Sequence, residues 1–304
     1  MKKVGFEYRK GGTGNETPFE IFLKYTDEKE KSSAVLGNIL SRLLVREDMT
    51  CLDIGSGNSE YLRSALNKVR NLKELIITLL EPSVDFARQL RRTAKLFLRS
   101  TSVSIAHSSF EDFTTDERFD IVLASHVPLA KDDLVRLSAI YVRMLDLLKP
   151  NGVLVVVLRG KDDIHQFRTK FKSLIMGKNY KSLTIGDAER VFRRIAKRLP
   201  LQLGKLNAGA RLRLPYPDNM RDVITVAEFL LNKRWEEIPA DIRDSVLAHV
   251  RGKHGQLQQI DGFLWSGIFD KVSSSVVVNI LHFWQIENQL VMAGFFVART
   301  EKIC

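Results

Sequence analysis

Hydrophobic positions in this chain follow two periods. Between residues 50 and 158, short apolar runs alternate with longer segments in which apolar residues recur every three or four positions. Residues 50–54, 75–80, 103–106, 119–124 and 153–158 read as strands, and 59–69, 84–98 and 132–148 as helices. In the segment 84–98, Phe86, Leu90, Leu96 and Leu98 share the apolar side. The segment 132–148 ends at Pro150, Asn151 and Gly152, residues that stop a helix. Continuous apolar strands separated by amphipathic helices predict an α/β fold with a Rossmann-like, mainly parallel sheet covered on both faces.

Outside that stretch the pattern changes. Gly11, Gly12 and Gly14 open a flexible start, followed by helices at 18–25 and 32–44. From 161 to about 268 the periodicity is mostly helical, broken by a strand-like piece at 201–214. Near the end, 274–283 and 290–298 flank Gln285, Ile286, Glu287 and Asn288 and read as a C-terminal antiparallel hairpin.

Composition narrows the partners. Hydrophobic residues make up 44% and charged residues 27% of the 304, which excludes global disorder. The net charge of +11 favours acidic partners, or records a merely basic surface. Cys51 and Cys304 supply neither a disulfide framework nor a metal site, so no metal is expected. With no apolar signal core over 1–10 and no membrane-length apolar run, the expectation is a soluble, cytoplasmic protein with no membrane partner.

The candidate chemistry begins where the first strand ends, at Asp53, Gly55, Ser56 and Gly57. Glycines at a strand-to-helix turn let a ligand approach the backbone and its N–H groups. Ser59 holds the third glycine position, so the dinucleotide fingerprint is incomplete. At the tip of the next strand, Glu81 and Pro82 place a carboxylate where it can accept both hydroxyls of a ribose. After the third strand, Ser109 and Phe110 suit the edge and face of an adenine, although Phe110 suits a core position equally.

Together with 119–125 and 147–154, these elements resemble the class I S-adenosylmethionine-dependent methyltransferases over about 50–160. The resemblance implies S-adenosyl-L-methionine as cofactor, held by Asp53, Gly55, Ser56, Gly57, Glu81, Pro82, Ser109, Phe110 and Ser125. It also implies four regions: 1–45 a helical cap and substrate segment, 46–160 the cofactor core, 161–269 a mostly helical substrate lid, and 270–304 a hairpin completing the sheet. The turn Ala124, Ser125, His126, Val127, Pro128, Leu129 lacks the double-proline motif of enzymes that methylate planar base or amide nitrogens.

A looser resemblance, to the histamine N-methyltransferase-like group, rests on several segments. They are 19–28, Glu81–Pro82–Ser83, Ser125–His126, 227–231, Trp235 and 238–243. It implies Glu28 as an anionic contact and Phe19 as an apolar wall for the acceptor. Met292, Ala293 and Gly294 stand where that group carries a substrate asparagine, which points away from histamine itself. His126 lies where a base or orienting group would reach the acceptor.

The expected activity is therefore methyl transfer to a small-molecule acceptor, with an amine nitrogen favoured. A carboxylate or hydroxyl on an acidic small molecule or peptide stays open, as does a non-catalytic cofactor-binding relative. RNA methylation stays open too. Arg88, Arg91, Arg92, Lys95 and Arg99, and Arg193, Arg194, Lys197 and Arg198, form basic stripes that suit either phosphates or a solvated face.

Overall fold

In the computed structural model, which describes residues 16–44, 46–69, 72–97, 101–127 and 133–268, seven strands pair into one sheet. They are β1 (Met49–Ile54), β2 (Leu75–Leu80), β3 (Thr101–Ala106), β4 (Phe119–Ser125), β5 (Leu148–Arg159), β6 (Leu201–Arg213) and β7 (Gln256–Ile268). Their order is β3-β2-β1-β4-β5-β7-β6. The first five are parallel, and β7 runs antiparallel to both β5 and β6. The order reverses between β1 and β4, and the carboxyl ends of the strands flanking such a switch point form a ligand crevice.

Apolar runs on β1, β4 and β5 are buried because helices cover both faces. One face packs against α2 (Glu28–Leu43), α3 (Glu60–Leu66) and α4 (Val84–Thr93) through Leu36, Leu40, Leu62, Leu66 and Leu90. The other packs against α5 (Leu134–Asp146) and α7 (Ile185–Ile195), where Tyr141 stacks on Phe192 with ring centroids 4.6 Å apart. A third apolar cluster joins α1 (Pro18–Tyr25), α6 (Asp163–Met176), α8 (Met220–Leu231) and α9 (Ala240–Gly252) to Leu212, Leu214 and Leu257. Those leucines lie at the ends of β6 and β7 nearest the carboxyl end of β5. The helical cap therefore stands over the crevice end of the sheet.

The first helix shows how local sequence seats this cap. Pro18 starts α1 at a position that needs no N–H, and Thr17 and Glu20 form a reciprocal capping box. The helix is tied to α8 by Tyr25, whose hydroxyl donates to Asp222 at 2.5 Å. Its end is tied to the sheet by the bridge between Thr26 and Leu212.

Two expectations change, and a third falls outside the described residues. The segment 161–269 is not simply helical, because β6 and β7 belong to the main sheet and supply its antiparallel strands. The hairpin expected over 274–298 lies outside the described residues. The helix expected over 84–98 ends at Thr93 and passes into a 3-10 turn over 94–96. Among the described residues no helix is long and apolar enough to cross a membrane.

Close packing of α7 on β7 depends on Gly262. A Cβ there would lie 2.3 Å from Ile185 Cγ2 and 2.5 Å from Ile185 Cβ, so the helix would have to shift. Gly262→Ala is expected to cost about 1–3 kcal/mol in urea unfolding. Gly209→Ala, on the paired strand with nothing within 4 Å of the added carbon, is expected to be near neutral. Equal effects at the two positions would contradict this packing.

Candidate functional site

The loop after β1 is shaped by its backbone. Gly55 and Ser56 N–H groups both donate to the Leu80 carbonyl, at 2.8 and 3.2 Å, which binds the loop to the tip of β2. Gly55 has φ +71°, and a Cβ on it would meet Val127 Cγ2 at 2.8 Å, so this position needs glycine twice over. Gly57 has φ +55° and nothing within 4 Å of where its Cβ would be, which leaves open space above the turn. Its N–H donates to Glu81 Oε2 at 2.8 Å, and Ser83 N–H donates to Oε1 at 2.8 Å. Glu81, 5% exposed, is thus fixed beside the loop, with Pro82 leading to Ser83, the N-cap of α4. A ribose-sized diol and a flexible chain laid along an open glycine turn fit this arrangement.

The next loop is less open. Ser109 Oγ donates to Asp112 Oδ2 at 2.6 Å and accepts from the Asp112 N–H, closing its own turn. Phe110 is 3% exposed, sits in the α5-side core, and has the Arg143 guanidinium 4.7 Å over its ring. Its place is a core position with one face already covered, and the face-stacking role expected for it finds no support here. Ser125 ends β4, paired with Val157.

At the other side of the crevice the structure brings together residues far apart in sequence. Glu28 begins α2, His126 follows β4, Arg159 ends β5, and Asp261 faces Arg159 across the β5–β7 ladder. Donor atoms of Glu28, His126 and Asp261 all lie within 4.8 Å of one another. Arg159 donates to Glu28 Oε1 at 2.7 Å and to Asp162 Oδ2 at 3.2 Å, while Gln259 Nε2 donates to Glu28 Oε2 at 2.6 Å. Both oxygens of Glu28 are therefore engaged.

Tyr61, on α3, presents its ring edge to His126 at 6.4 Å and shares a hydrogen bond with Ser32 at 2.9 Å. Phe19 is placed elsewhere. It packs on α8 against Phe229 at 5.6 Å, and on Phe22 at 6.5 Å, as part of the wall of the cap. Glu28 and His126 were singled out in the sequence; Arg159, Gln259 and Asp261 were not. A charged residue at the tip of the most apolar strand was a readable signal for Arg159. Nothing local marked the other two.

The glycine loop and this polar group share an edge, since Gly55 packs against Val127, the neighbour of His126. Residues 46–192, from the start of β1 through most of α7, match the family model described as a methyltransferase domain. Residues 46–192 are a methyltransferase domain, of the kind that uses S-adenosylmethionine.

A search of curated protein sequences finds no match. Several solved structures are similar at a distance. The YcgJ protein of Bacillus subtilis is 14% identical, with 78% of this chain and 99% of that one covered and a TM-score of 0.47. A methyltransferase from Thiobacillus denitrificans in complex with S-adenosyl-L-homocysteine is 16% identical, covering 81% and 96%, with a TM-score of 0.47. The cyclopropane synthase MmaA2 of Mycobacterium tuberculosis is 15% identical, covering 88% and 90%, with a TM-score of 0.48.

In this methyltransferase one acid below the loop has an unusual proton affinity. Burial of Asp53, 5% exposed, is opposed by the Ser56 hydroxyl and reinforced by the Glu81 charge, and pushes its carboxyl from 3.8 up to about 7. A folded-state pKa above the unfolded one means that the folded state holds the extra proton between those values. The associated stability is present below about pH 4 and is lost as pH rises through about 7. Asp53→Asn removes that loss. Its unfolding free energy relative to wild type is expected to rise by about 2–4 kcal/mol between pH 4.5 and 7.5. A pH-independent difference in urea titrations would show that Asp53 ionises normally.

Proposed function

We propose that the methyltransferase transfers a methyl group to an amine nitrogen of a small molecule held between the glycine loop and the Glu28–His126–Asp261 group. The carrying observation is that group itself. One buried acid, Asp261, one half-buried acid, Glu28, and a histidine converge at the carboxyl ends of the strands, one residue from the contact between Gly55 and Val127. Arg159 offsets one negative charge, with Asp162 on its far side, so the end of the crevice keeps an anionic excess that draws in an amine, whose nitrogen attacks in its neutral form. In this reading Asp53, Gly55, Ser56, Gly57, Glu81, Pro82, Ser109 and Ser125 line the cofactor side. Glu28 and Phe19 belong to the acceptor side, Phe19 through the wall of the cap.

The bound cofactor supplies an already electrophilic methyl group, so the protein's part is to orient, to dry the site and to move a proton. Glu81 fixes the sugar end, and the open turn at Gly57 accommodates the chain. His126 stands ready to take the proton released from nitrogen, and the cap over the crevice excludes water. Residues 1–45 and the helices of 161–269 serve as substrate cap, and the buried free thiol of Cys51 suits the reducing cytoplasm.

The experiment is release of S-adenosylhomocysteine by purified protein against matched panels of amines, carboxylates, phenols and RNA. Release that follows amines is the expected result. Turnover confined to carboxylates, phenols or RNA would replace the proposed acceptor, and no turnover on any panel would favour a binding protein. Glu81→Ala is expected to weaken S-adenosylhomocysteine binding about 10- to 100-fold in calorimetry. Glu28→Gln is expected to raise the amine KM roughly tenfold while leaving that binding unchanged.

A further inference from the structure

We infer that Asp261 is the positioning residue of a His126–Asp261 dyad, holding the imidazole so that it accepts the acceptor's proton during methyl transfer. The inference rests on the acceptor lying at this end of the crevice, as proposed above. Asp261 is 1% exposed, and neither of its oxygens receives a hydrogen bond of full geometry. His126 Nε2 lies 3.4 Å from Oδ2, and the Ser32 hydroxyl also faces the carboxylate. A buried carboxylate short of donors is costly unless a partner proton is delivered to it, and the imidazole is the group placed to do so. With Nε2–H turned to Asp261, the other ring nitrogen, Nδ1, meets no hydrogen-bond partner among the described residues. The ring is 37% exposed, so it opens on the crevice.

The backbone supports the same reading. His126 has φ +53°, a left-handed conformation that side-chain-bearing residues adopt at a cost. Its N–H still donates to Val157 O at 2.8 Å, so β4 keeps its pairing up to the point where the chain turns. The groups facing the ring are Asp261 from β7, Glu28 from α2, Arg159 from β5 and the neutral Tyr61 from α3. Burial of the imidazole lowers its pKa. The Asp261 carboxylate, helped by Glu28 and opposed by Arg159, more than reverses this, and the net direction is upward.

In the reaction the bond from nitrogen to the methyl carbon forms as the carbon–sulfur bond breaks, the bonding pair staying on sulfur. The proton that nitrogen then surrenders goes to Nδ1. The imidazolium so formed faces Asp261, and its exposed edge returns the proton to solvent.

The test uses the full chain. Imidazole 15N resonances are titrated in wild type, Asp261→Asn and His126→Ala, the last identifying the His126 signal among the six histidines. The profile of kcat/KM against pH is recorded with whichever acceptor the wild type methylates. Activity requires neutral His126 and so falls as pH drops through its pKa. Asp261→Asn is expected to move both the imidazole titration and this acidic limb to lower pH by about one pH unit. It is also expected to lower kcat roughly 10- to 100-fold with unchanged S-adenosylhomocysteine affinity. His126→Ala is expected to abolish the limb.

An unmoved imidazole titration overturns the dyad. A limb that stays in place while the imidazole moves overturns its use in catalysis. If Asp261→Asn does not fold, His126→Ala decides, and a retained limb overturns the inference. A phenol acceptor would remove the amine reading and leave the dyad standing. A carboxylate acceptor, which surrenders no proton, would remove both.

Discussion

The antiparallel register of β7 against β5 is the constraint on which the meeting of Glu28, His126 and Asp261 depends. Pairing Arg159 with Asp261 and Val157 with Phe263 fixes which residues of β7 face which side. Gln259 and Asp261 are two apart and therefore point the same way, with Phe263 continuing that face into the core. One register choice thus places an amide and a carboxylate at the carboxyl end of the parallel strands and an aromatic ring below them. A slip of one residue would turn all three to the other face.

The same register draws in the N-terminal segment. Asp27 accepts from the Arg211 backbone N–H at 2.6 Å, and the Thr26 hydroxyl donates to the Gln259 side chain. These contacts leave Glu28, at the first turn of α2, facing Arg159 and Gln259. Buried ion pairs seldom stabilise a fold outright, because desolvation offsets their attraction, while removing one partner strands the other at about 3–5 kcal/mol. The Glu28–Arg159–Asp162 chain therefore acts less as a source of stability than as a means of holding one arrangement of the cap against the sheet.

The glycine loop and the Glu81 strand tip were legible in sequence because their determinants are local. Gly55, Gly57 and Glu81 sit at strand tips whose apolar runs are unmistakable, and the spacing from loop to carboxylate is set by one helix. The Phe110 loop was harder, since an aromatic residue after a strand serves a ligand or a core equally well, and here Arg143 and α5 claim it. The strand β7 was missed for a physical reason. Its inward positions include Gln259 and Asp261, both about 1% exposed, and two buried polar residues erase the alternation by which a strand is recognised. The polar residues that hid the strand are the ones that build the site. Glu28 and His126 were found only through their likeness to a family segment, and no spacing in the chain announces that they meet.

Gly55 joins the two ends. Its positive φ sends the loop back toward β2, and its missing side chain lets Val127 pack directly onto it. Val127 follows His126, whose own left-handed backbone sets the direction in which the ring leaves β4. The backbone of the glycine loop and the turn that carries the imidazole are thus in van der Waals contact. A side chain at position 55 would both strain the loop and press on the Val127 side chain next to His126. If methyl donor and proton acceptor bind as proposed, this packing contact links the placement of both, which suits a reaction that tolerates little misalignment between its two partners.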